Sequence, residues 1–119
     1  MPYNFEKLNV WQESRLFIKE IYFLIGKFPK TEQFALVDQI KRAVISIALN
    51  IAEGADKRSN KDFIRYLRIS IGSVNETVTC LYIAKDLAYI SDQEFQKCYE
   101  FAHKLSAMLN ALVRKLNEK

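Results

Sequence analysis

Apolar residues in the last part of the chain recur at alternating steps of three and four. They are Phe95, Cys98, Ala102, Leu105, Leu109, Leu112 and Leu116. This 3.5-residue period is typical of an α-helix that packs along a left-handed seam against neighbouring helices. A strand needs a period of two, so the pattern favours a helical protein.

Turn-forming residues divide the chain into four such segments. Only three Gly and two Pro occur in 119 residues, so the helices are long. Ser59 with Asp62 and Ser91 with Glu94 have the spacing of N-caps for the third and fourth helices. We predict an all-α fold, an antiparallel up-down-up-down left-handed four-helix bundle. It forms one domain, residues 1–119, with helices at about 10–27, 32–55, 60–88 and 92–116.

Composition and charge restrict the classes of protein to which this chain can belong. The 18 basic and 14 acidic residues are spread along the chain, and the net charge of +4 permits an anionic partner without requiring one. The N-terminus lacks the apolar core of a signal peptide, and no uncharged run approaches the ~20 residues of a membrane span. Cys80 and Cys98 lack metal-ligand spacing. We expect a cytoplasmic protein with buried thiols and no membrane contact.

The sequence lacks the residue motifs of conventional catalytic sites. His103 is the single histidine, and it lies opposite the apolar stripe of the fourth helix, where we expect it to be exposed. There is no Glu-x-x-His motif and no Gly-rich phosphate loop. We therefore predict no enzyme, with no catalytic residues, no metal and no cofactor.

The first helix predicts self-association. Ile21, Tyr22, Phe23, Leu24 and Ile25 are consecutive, so apolar side chains cover its whole circumference. A helix in a four-helix bundle has an outward face, and another surface must cover that face. A second copy of the chain is the simplest source, so we expect a homo-oligomer.

Two polar stripes are expected to meet between the second and third helices, where their main role would be to fix the register. One register pairs Glu53 with Arg65, Asn50 with Arg68, Ser46 with Gly72 and Arg42 with Glu76. This register extends the second helix about a turn past Gly54. A register slipped by one turn pairs Gln39 with Glu76 and Asn50 with Arg65, and makes Gly54 the helix stop.

We assign a structural role to Arg42, Ser46, Asn50, Glu53 and Glu76. A small-molecule pocket lined by Asn50, Glu53 and Arg68 is the alternative.

Basic residues cluster where the second helix turns into the third. Lys57, Arg58 and Lys61 lie in the turn, and Arg65 and Arg68 follow one and two helical turns later. Repeated around an oligomer, such turns would form a basic ring able to bind phosphates. We predict RNA or DNA backbone binding at these five residues. An interaction scaffold that binds a protein partner through an apolar or basic face is the alternative function.

Four segments resemble, in order, the four-helix bundle proteins encoded within intervening sequences of bacterial 23S rRNA genes. The segments are FEKLNVWQES at 5–14, KFP at 27–29, QIKRAVISIALNIAEG at 39–54 and FIRYLRISIGSVNE at 63–76. The resemblance implies a left-handed bundle, a barrel-like homopentamer, and kinship with the basic accessory variability proteins of diversity-generating retroelements, which associate with nucleic acid. Family members often have a longer Gly-Arg turn where this chain has Ala-Asp-Lys-Arg at 55–58.

Overall fold

The computed structural model describes residues 1–118. Its helices are α1 (Asn9–Ile25), α2 (Leu36–Ala55), α3 (Asn60–Asp86) and α4 (Asp92–Asn117), with short 3₁₀ turns at Asn4–Lys7 and Lys30–Glu32. The described residues contain no strand. The predicted all-α fold of four helices is confirmed. Ser59 and Ser91 accept N-cap hydrogen bonds from the backbone of Asp62 and Glu94, as their spacing predicts.

Each helix packs against the next one along the chain, and α1 packs against α4 to close the ring. Contacts between neighbouring helices pair a residue early in one helix with a residue late in the next, as antiparallel helices require. Gln39, near the start of α2, bonds to Glu76 in the second half of α3. This pattern is consistent with the up-down-up-down arrangement, in a body of 46 × 22 × 22 Å. The left-handed sense of the bundle stays a prediction.

The core follows a slightly different period from the predicted one. Leu105 and Leu109 of α4 are fully buried, but Leu112 is partly exposed and Val113 takes its place in the core. A helix with its natural 3.6 residues per turn drifts away from a strict 3.5-residue stripe, so the buried position moves by one residue.

The second helix begins later than the sequence predicts, at Leu36 rather than about residue 32. The backbone N–H groups of Glu32, Gln33 and Ala35 donate to carbonyls three residues earlier, so this stretch is wound too tightly for an α-helix. The Tyr89 hydroxyl also donates to the Glu32 carboxylate at 2.6 Å. The third helix ends at Asp86, in a Schellman cap with Ala88 at φ 60°.

Two ion pairs bridge α1 and α4, a third joins the turn after α1 to α4, and the sequence analysis missed all three. Glu13 pairs with Lys104 at 3.5 Å, Glu20 with Lys97 at 3.0 Å, and Lys27 with Glu94. We call this set the ion-pair ladder. Its members Glu13 and Glu20 on α1 and Lys27 just after α1 are seven residues apart, which is a signal visible in the sequence.

Both cysteines are free and buried. Burial, with a smaller effect of the Glu20 carboxylate, raises the pKa of the Cys98 thiol to about 11. Burial also raises the pKa of Cys80. Neither thiol is ionised at neutral pH, which agrees with the unreactive role predicted for them. Among residues 1–118, none of the helices combines the length and apolar character needed to cross a membrane.

Candidate nucleic-acid interface

The α2–α3 turn lies at one end of the bundle and is held by close packing. A Cβ placed on Gly54 would lie 2.7 Å from the Tyr66 Cβ and 2.9 Å from the Phe63 ring, so only glycine lets α2 approach α3 here. Helix α2 ends at Ala55, one residue beyond Gly54 and not a full turn, and Gly54 has no positive φ. Its role is close approach rather than helix termination. Asn60 donates to the Leu116 carbonyl at 3.3 Å and ties the turn to the end of α4.

Two of the five predicted binding residues are engaged within the protein. Lys57 donates to the Glu53 carboxylate at 3.2 Å, and this bond, with the Tyr66 side chain, raises the pKa of Lys57. Arg65 lies 4.0 Å from Asp62. Both cations also lie over the Tyr66 ring, 5.2 Å and 5.1 Å from its centroid. Tyr66 is a site residue that the sequence analysis did not identify, although it stands beside Arg65.

The other three predicted binding residues are free to reach a ligand. Arg58, Lys61 and Arg68 are exposed, and no carboxylate among residues 1–118 lies within ion-pair distance of them. Lys61 lies beside Leu116 and Asn117, so α4 brings the exposed Arg114 and Lys115 to the same end. Cations from the turn, from α3 and from α4 therefore share one end of the bundle.

The predicted charge pairs between α2 and α3 are wrong. Arg42 pairs with Asp38 of its own helix at 2.9 Å, and its side chain is 75% exposed. Glu53 bonds Lys57, and Asn50 donates to the carbonyl and hydroxyl of Ser46, again within α2. Long charged side chains find partners one turn away on the same helix, which needs no particular register between helices.

Small polar residues make the contacts across the α2/α3 seam. Ser73 donates to the Ser46 hydroxyl at 2.9 Å, and buried Ser70 donates to the Ile47 carbonyl at 2.9 Å. Gln39 donates to the Glu76 carboxylate at 2.9 Å. The first contact is close to the first predicted register, and the last belongs to the slipped one, so no single pairing rule holds along the seam.

The alternative pocket is not formed as predicted. The cleft beside Glu53, of about 440 Å³, is lined by residues 2–5, Leu49, Ala52 and Asp56, and Asn50 and Arg68 are not part of its wall. His103 is exposed, as predicted. Over residues 1–118, no group of three His, Cys, Asp or Glu side chains is placed to hold a metal ion.

Large apolar side chains remain on the surface of the single chain. Within the apolar run of α1, Ile21, Leu24 and Ile25 are buried, whereas Phe23 is 73% exposed. Phe34, just before α2, is 90% exposed, and Leu49 on α2 is 63% exposed. These are the surfaces that an oligomer or another partner would cover.

Comparison with known proteins gives two positive results. A family model described as 23S rRNA-intervening sequence protein matches residues 6–111. A crystal structure of a protein with unknown function from the S23 ribosomal protein family of Bacteroides thetaiotaomicron VPI-5482 is similar, with a TM-score of 0.77 and 25% sequence identity. The match covers 87% of this chain and 97% of that one. No curated protein matches the chain.

Proposed function

The chain belongs to the 23S rRNA-intervening sequence protein family, and from that premise we propose that it is a non-enzymatic, homo-oligomeric bundle that binds the backbone of RNA or DNA. The observation that carries the proposal is the end of the bundle with exposed Arg58, Lys61 and Arg68. Cations without a carboxylate partner are the ones that can displace counterions from a phosphate backbone. Lys57 and Arg65 add charge to the same surface while holding its shape.

Self-association completes the proposal. Phe23 and Phe34 are aromatic side chains of high exposure, and covering them removes apolar area from water. The resemblance implies a pentamer, and five copies at +4 each would carry about +20, which multiplies the phosphate attraction. A cytoplasmic location belongs to the same proposal, since two free cysteines suit a reducing compartment.

The test is fluorescence anisotropy with labelled RNA and DNA across a salt series. The variant is Arg58→Glu with Lys61→Glu, and we expect binding about tenfold weaker or worse, with a log–log salt slope smaller by about two because each lost phosphate contact removes about one. The matched control is Lys19→Glu with Lys30→Glu, which makes the same charge change at exposed positions away from this end. We expect the control to bind within about threefold of the wild type.

Equal loss in both variants would mean that net charge, and not this end of the bundle, governs binding. Mass photometry of each variant shows whether the oligomer is intact. Phe23→Ser with Phe34→Ser tests self-association, and an unchanged oligomeric mass would contradict the proposed role of these side chains.

A protein-interaction scaffold is the second candidate function. It is favoured by Phe34, which projects into solvent at 90% exposure from the turn between the 3₁₀ segment Lys30–Glu32 and α2. A scaffold would leave the anisotropy experiment without binding at any salt concentration, while the wild-type protein kept its fold and mass.

A further inference from the structure

Four aromatic side chains lie near the basic end, by which we mean the end of the bundle that carries Arg58, Lys61 and Arg68; they are Tyr66, Phe63, Tyr3 and Phe5. Tyr66 lies beneath Lys57 and Arg65, and its Cβ is packed where a Gly54 Cβ would be. Phe63 packs against the same glycine and is partly buried. The two aromatics are therefore pinned between helices, with the Tyr66 ring face already covered by cations.

Tyr3 is the third aromatic, and its surroundings repel phosphate. It is 63% exposed and stacks on Phe5 with ring centroids 5.7 Å apart. The cleft that it lines also contains the Glu53 and Asp56 side chains. A strand that stacked a base on Tyr3 would bring its phosphates towards these two carboxylates.

We propose that the basic end binds a nucleic-acid duplex more tightly than a single strand, and that it contacts the duplex through phosphates alone. Proteins that bind single strands gain much of their affinity from stacking bases on aromatic rings. Without that contribution the driving force is counterion release, which is greater per contact for a duplex: the salt slope is about 0.9 per phosphate against about 0.7 for a single strand. Arg58, Lys61 and Arg68 contact phosphate oxygens and not base edges, so recognition is independent of sequence. This inference rests on the proposed function.

The experiment compares a labelled 20-base-pair duplex with each of its two strands, using the wild-type oligomer in the same salt series. We expect the duplex to bind at least about fivefold more tightly, with a slope of at least about −2.7 if three phosphates are contacted per chain. Scrambling the duplex sequence should change its affinity less than about twofold.

The variant Tyr3→Ala separates phosphate binding from base stacking, because this exposed side chain can be removed without disturbing the core. We expect no change in affinity for either the duplex or the strands. Single-strand binding equal to duplex binding, or weakened more than about threefold by Tyr3→Ala, would overturn the duplex preference while leaving the proposed function intact. Absence of binding to all three nucleic acids would overturn both.

Discussion

Where α2 meets α3 the facing residues are small and bond through hydroxyls, whereas α1 and α4 are bridged at the surface by long charged side chains. At the α2/α3 seam, Ser46, Ser70 and Gly54 let the two helices pack closely. At the α1/α4 seam, the gap is filled by aromatic rings such as Phe17 and Phe101, 5.1 Å apart, and is spanned by the ion-pair ladder. Close packing should dominate stability, while the ladder should act weakly and depend on solution conditions.

The largest expected effect comes from closing the α2/α3 approach. Gly54→Ala places a methyl group 2.7 Å from the Tyr66 Cβ, which is attached to backbone and cannot swing away. We expect α3 to shift and the free energy of unfolding to fall by about 1–3 kcal/mol. Urea unfolding followed by circular dichroism, at one protein concentration, measures the change.

Gly72→Ala is the matched control for this prediction. Its added Cβ meets nothing within 4 Å, so the substitution only improves helix propensity. We expect it to stabilise the protein by about 0.5–1 kcal/mol. Equal stabilisation by the two substitutions would show that the seam is not tightly packed at Gly54.

A smaller effect is expected from Ser70→Ala, which removes a buried hydrogen bond from the same seam. Ser70 is fully buried, and its hydroxyl donates to the Ile47 carbonyl on the facing helix. Losing a bond of this kind costs about 1 kcal/mol. The same urea experiment measures this loss. The surface control is Asn110→Ala on α4, because exposed Asn110 donates to the Ser106 carbonyl of its own helix. No change for Ser70→Ala would mean that helix packing alone holds the seam.

The fold could be predicted from the sequence because apolar spacing and capping signals are local. The buried stripe of α4 and the caps at Ser59 and Ser91 were found without knowing any neighbour. The start of α2 was not found, because the Tyr89 hydroxyl that holds Glu32 comes from a residue far along the chain.

The candidate site was predicted only in part, for a reason of the same kind. Charge clustering identified Arg58, Lys61 and Arg68, because exposed cations in a turn need no partner. The pairs that Glu53 and Arg42 form depend on competition between a partner one turn away and one on the next helix. Sequence spacing does not decide that competition, and in both cases the nearer partner, Lys57 or Asp38, is bound.

The ion-pair ladder should respond to salt where the α2/α3 seam does not. Glu20→Gln with Lys97→Gln removes a pair whose lysine side chain is 71% exposed, and exposed ion pairs stabilise proteins little. We expect a shift of the urea midpoint smaller than that of Ser70→Ala. The shift should vanish between 0.1 M and 1 M NaCl, as the screening length falls from about 10 Å to about 3 Å. The Ser70→Ala shift should stay constant, and a ladder shift that survives 1 M NaCl would contradict the distinction.

The smallest effect is expected from acid, at the end of the ladder beside the α3–α4 turn. Lys27 and the backbone N–H of Ser91 lower the pKa of Glu94 by stabilising its carboxylate. A carboxylate whose pKa is lower in the folded state stabilises the fold above its unfolded pKa, and that contribution is lost as the pH falls through the folded value. Lys27→Gln should therefore lose less stability than the wild type between pH 6 and the acid side of about 4.3, the ordinary glutamate pKa. Lys19→Gln, an exposed α1 lysine outside the ladder, is the control and should follow the wild type. Parallel acid titrations of all three proteins would show that Lys27 does not hold the Glu94 carboxylate in solution.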